Sequence, residues 1–90
     1  MSGLSDMEFR VLDELYFVTA YHELLELTAL EEGQLRETLL GLIDQGLVHQ
    51  MRYNATINDF ERLEQPDRAS CLQSSFVASR QGLLIHNMRS

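Results

Sequence analysis

The chain has 90 residues, 44% of them hydrophobic, and 14 acidic against 7 basic side chains give a formal net charge of −7. That length allows one domain, and no stretch approaches the roughly 20 consecutive apolar residues of a membrane helix. A single cysteine, Cys71, excludes an internal disulfide; no basic segment and apolar run follows Met1, so the expected compartment is the cytoplasm.

The first predicted element is a helix over residues 6–18. Ser5 and Glu8 have the spacing of a capping box, and Leu4 and Phe9 that of a hydrophobic staple. Val11, Leu15 and Val18 make one apolar row, with Phe9, Leu12 and Tyr16 beside it. A second helix is expected over residues 20–27, with Thr19 as N-cap and Leu24 and Leu27 on one face. Thr28, Ala29 and Leu30 leave a connector so short that the next helix must cross steeply. That third helix is expected over residues 32–45. Leu35, Leu39, Leu42 and Ile43 recur at helical spacing, and Gly46 suits the left-handed residue after a helix end. A strand over residues 47–53 follows.

Residues 54–70 read as a long connector rich in turn formers. Ile57, Phe60 and Leu63, three apart, suggest a helical turn within it. Residues 71–79 read as a returning strand with Leu72, Ser74, Phe76 and Ala78 on one face and Phe76 as the core anchor. A short helix over residues 80–87 closes the chain. Its consecutive Leu83, Leu84 and Ile85 cannot all face one core, so one is available to a partner.

The order Leu24, Leu27, Leu30, Leu35, Leu39, Leu42, then Gly46-Leu47-Val48, resembles the winged helix-turn-helix superfamily, MarR-like regulators in particular. The resemblance implies a mainly α fold with a small antiparallel β-wing, in one domain spanning residues 1–90. It also implies that the helix over 32–45 is a recognition helix and that the segment after it leads into the wing.

Catalytic signals are weak. His22-Glu23-Leu24-Leu25-Glu26 has the opening of a zinc-protease helix, but Glu26 stands where a second histidine is needed. Cys71 lacks a neighbouring base to activate it. There is no glycine-rich phosphate loop and no nucleophile elbow. The expectation is a non-enzymatic protein without metal or cofactor.

The recognition-helix position supplies the candidate site. Gln34, Arg36, Glu37, Thr38 and Gln45 lie opposite the leucine stripe, with Gly41 among them. Gln34 and Arg36 are residue types that read base edges, and Thr38 is suited to phosphate. Arg52, Arg62 and Arg68 are the candidate wing contacts. Charge opposes this use. Residues 1–45 hold ten acids and two arginines, a net of −8, whereas residues 46–90 hold four acids and five arginines, a net of +1. Glu31 and Glu32 stand at the end of the helix that would enter a groove first, and DNA affinity depends on neutralising phosphates. The expected mechanism is therefore protein–protein interaction or self-association by a regulator-like module. The alternative is a dimeric DNA-binding regulator.

Overall fold

The computed structural model describes residues 4–89. It is a small α+β domain whose order is α1 (Asp6–Asp13), β1 (Thr19–Ala20), α2 (Tyr21–Thr28), α3 (Glu32–Asp44), β2 (Val48–Asn54), β3 (Asp59–Arg62), a 3₁₀ segment (Arg68–Gln73), β4 (Ser75–Ala78) and α4 (Arg80–Arg89). The four strands form one antiparallel sheet in the order β1-β4-β2-β3.

Local chemistry sets the helix boundaries. The Ser5 hydroxyl accepts from the Glu8 N–H at 3.1 Å, and the Glu8 carboxylate accepts from the Ser5 N–H at 2.9 Å, a complete capping box. At the end of α3, Gly46 has φ +76°. The Leu47 N–H then reaches Leu42 O and the Gly46 N–H reaches Ile43 O, both at 2.9 Å. This Schellman closure sends Leu42 and Leu47 into the core together. In the α2–α3 connector the left-handed residue is Ala29, φ 58°, a position that costs an alanine more than a glycine.

The core joins Val11, Leu12 and Leu15 to Leu24, Leu35, Leu39 and Leu42, with Val48, Phe76 and Ala78 from one face of the sheet. Phe76 is fully buried there. Leu30 of the α2–α3 connector packs against this core.

Five expectations need correction. First, α1 stops at Asp13, not residue 18. The Leu15 N–H bonds Leu12 O, and the chain then leaves so that Thr19 and Ala20 pair with Phe76 and Ser75. Tyr16 and Val18 are consequently exposed. Second, the N-cap of α2 is Ala20, whose N–H donates to Glu23; the Thr19 hydroxyl turns back to the carbonyls of Glu14 and Phe17. Third, Leu27 is exposed, because α2 buries Tyr21, Leu24 and Thr28 instead.

Fourth, the connector contains no helical turn at Ile57, Phe60 and Leu63. Asn58, φ 54°, reverses the chain, and β3 pairs with β2, Phe60 opposite Tyr53. Fifth, residues 71–79 are not one strand: Cys71 and Leu72 belong to the 3₁₀ segment, which buries Cys71 and leaves Leu72 exposed. Four further elements move by a residue or two: α2 is Tyr21–Thr28, α3 ends at Asp44, β2 is Val48–Asn54 and α4 runs to Arg89.

Candidate functional site

Helix α3 does not present its candidate residues on one open face. The first turn of α1 lies along one flank. The Thr38 hydroxyl donates to Gln34 O at 2.7 Å and meets Met7 Sδ at 3.4 Å. The Gln45 amide donates to a Glu8 carboxylate oxygen at 3.0 Å and to Gly41 O at 3.1 Å. Thr38 and Gln45 therefore help to seat α1. Gln34 is exposed and accepts from the Glu31 N–H at 3.2 Å, which ties it to the helix start. Glu37 is exposed on the outer ridge.

Arg36 lies on the opposite flank, toward Tyr21 and Cys71. Burial raises the pKa of both groups. The positive charge of Arg36 pulls against that rise at each, and Arg68 does so at Cys71. The charges of Arg36 and Arg68 are thus both felt at Cys71. Cys71 is 1% exposed, so the uncharged thiol is favoured and a nucleophilic role is not.

The other two arginines lie on the β2–β3 hairpin, on opposite faces. Arg52 meets Glu61 across the strands at 3.6 Å. Arg62 stands opposite Met51, and its charge is felt by His49. Arg52, Arg62 and Arg68 therefore form no basic stripe.

Between α1 and α3 runs an open groove of about 520 Å³ lined by Ser5, Asp6, Met7, Glu8, Glu37, Thr38 and Gly41. Three of these seven side chains are carboxylates. Glu31, Glu32 and Asp44 are exposed on the same helix, so the accessible surface of α3 is predominantly negative.

Two polar centres escaped the sequence reading. Gln50 is 2% exposed. Its amide oxygen accepts from the Asp67 N–H at 2.9 Å, while its nitrogen donates to Asp67 O at 3.1 Å and to the Ser74 hydroxyl at 2.8 Å. The signal was present: Gln50 follows Val48 at strand period on the core-facing side, where a polar residue needs partners. His86, 5% exposed, joins α4 to α1. Its Nε2 is 3.0 Å from an Asp13 carboxylate oxygen, its Nδ1 is 2.9 Å from the Tyr16 hydroxyl, and its ring stacks on Phe9 at 4.4 Å.

Among the described residues, no group of three or more histidine, cysteine or carboxylate side chains is placed to hold a metal ion, and no helix is long and apolar enough to cross a membrane. No protein-family model, curated protein or solved structure matches the chain.

Proposed function

We propose that the chain is a non-enzymatic winged-helix module, related in design to transcription regulators, that works through protein–protein contact. The α2–α3 pair with its three-residue connector, followed by the β2–β3 hairpin and the return of β4, supports the winged-helix assignment. The observation that carries the mechanism is the surface of α3. Its exposed ridge bears Glu31, Glu32, Glu37 and Asp44, and the first turn of α1 occupies the flank holding Thr38 and Gln45.

A helix that reads DNA needs an unobstructed face and cations for phosphate. From Glu31 to Asp44 this helix and its N-cap carry one arginine against four carboxylates, and α1 occupies the flank at Thr38 and Gln45. A basic protein segment is the complementary partner: its lysines and arginines meet the carboxylates, and their aliphatic stems meet Met7 and Gly41 along the groove.

The test is a paired salt titration. Mixed-sequence duplex DNA is expected not to bind at micromolar protein in low salt. An oligoarginine peptide is expected to bind, more weakly as salt rises and more weakly again after Glu37→Gln with Asp44→Asn. DNA binding with a steep salt slope would instead favour the regulator that uses α3 as recognition helix, with Gln34 and Arg36 as readers.

A further inference from the structure

The β2–β3 hairpin sorts its charges by alternation. Arg52, Asn54 and Glu61 share one face, joined by the Arg52–Glu61 ion pair and an Asn54–Glu61 hydrogen bond. The register places Met51, Tyr53, Phe60 and Arg62 on the other face, and pairing with β4 adds His49, Ser75 and Val77. This second face is the outer face of the sheet. Met51 and Val77 are absent from the core and do not pack against it, whereas Val48, Phe76 and Ala78 of the inner face lie within it. Tyr53 is 50% exposed and Phe60 39%, and their rings meet edge to face at 5.4 Å. None of these seven outer-face side chains is a carboxylate.

From this geometry we infer that the outer sheet face is a self-association surface and that its occupant is a second copy of the chain, face to face. Two copies each carry −7, so contact through the helical half would bring like charges together. The outer sheet face removes apolar and aromatic area from water without burying a carboxylate, and it offers Arg62 the ring faces of its mate. A single-stranded nucleic acid would also find aromatic rings here, but such sites track the backbone with a basic groove, and Arg62 is the one arginine on this face.

The size of the face sets the strength. β4 flanks Val48–Met51 and β3 flanks Met51–Asn54, so the face is two strands wide along β2, about 10 Å by 23 Å. It puts several hundred Å² of accessible surface, below about 1,000 Å² from both copies together, out of water, the size of a weak, transient contact. The dimer is therefore reversible. The outward Leu84 and Met88 of α4 are a smaller apolar site, one turn long, and serve as the control.

This inference deepens the protein-contact reading above, and the two fail separately. Contact between the acidic α3 surface and a basic segment weakens with salt, whereas association of like-charged copies strengthens. The experiment is sedimentation velocity of the full chain from micromolar to millimolar concentration at low and high ionic strength. A monomer–dimer transition is expected, moving to lower concentration as salt rises. Phe60→Glu should move it to at least about tenfold higher concentration, and Tyr53→Gln in the same direction by less. Leu84→Gln with Met88→Gln should leave it in place. Thermal melts confirm that each variant is folded, and the exposed Tyr53 provides the second test if Phe60→Glu is not. A monomer under every condition would overturn the inference. So would a dimer indifferent to both hairpin variants, or one abolished by the α4 variant alone.

Discussion

The Gln50 side chain holds the backbone of Asp67 in both directions, accepting its N–H at 2.9 Å and donating to its C=O at 3.1 Å. A peptide group is thereby paired much as it would be in a sheet, by an amide that belongs to a side chain. Through this clasp the connector after β3 lies against β2 and leads into the 3₁₀ segment. Gln50→Leu removes the clasp and leaves the Asp67 peptide and the Ser74 hydroxyl to lose their partner. The expected cost is about 2–3 kcal/mol, read as a lower urea midpoint with faster amide exchange at Asp67. An unchanged midpoint would remove Gln50 from the account of the fold.

The glycines are expected to respond with opposite signs. A Cβ on Gly82 would sit 2.1 Å from Leu47 O, a clash with backbone that neither element can relieve cheaply. Gly82→Ala should destabilise by about 3 kcal/mol or more. Gly41 is interior to α3, and an added Cβ there meets nothing within 4 Å. Gly41→Ala should stabilise by up to about 1 kcal/mol, the difference in helix propensity. Chemical denaturation of the two variants side by side decides both.

His86 allows packing to be separated from hydrogen bonding. His86→Phe keeps an aromatic ring against Phe9 and loses both polar contacts. Because Asp13 and Tyr16 are both exposed, water can replace the imidazole at each, and the expected cost is about 1 kcal/mol. His86→Ala also empties the ring's site and should cost about 3 kcal/mol. Equal losses in the two melts would show that the Asp13 and Tyr16 contacts, not the stacked ring, hold α4 to α1.

His49 predicts a pH dependence. Its pKa lies below the ordinary 6.5, first because burial disfavours the charged ring and second because Arg62 repels it. The unfolded chain therefore takes up this proton at higher pH than the folded one. The contribution of neutral His49 is complete above about pH 6.5 and is lost as pH falls from there through the lower folded value. His49→Gln should flatten the decline of the melting temperature between about pH 7 and pH 5 relative to the parent chain. Parallel curves would refute the assignment.

Much of the fold was legible where the cause is local. The Ser5–Glu8 box, the leucine stripe of α3 and the Gly46 closure each depend on residues within one or two turns, and they set one or both ends of a helix. The end of α1 was not legible, because Val18 extends the helical period while the pairing of Thr19 with Phe76 removes that segment from the helix. Phe60 likewise sits at helical spacing from Ile57 and Leu63, yet its ring is placed by Tyr53 across a turn. In the candidate site the exposure of Gln34 and Glu37 could be read from the helical period. The seating of Thr38 and Gln45 by α1 could not, since it depends on a contact between helices distant in sequence.

The pairing of β1 with β4 has a kinetic consequence. Thr19 meets Phe76, the Leu15 carbonyl accepts from the Ala78 N–H, and Asp13 meets His86, so elements from opposite ends of the sequence lock one another. Helices α2 and α3 and the β2–β3 hairpin are each closed by short loops and can form early. The first helix has no complete binding site until β4 and α4 arrive. Loop-closure entropy thus falls on the last step, and a chain emerging from the ribosome would hold Val11, Leu12 and Leu15 only partly covered until β4 and α4 had been synthesised.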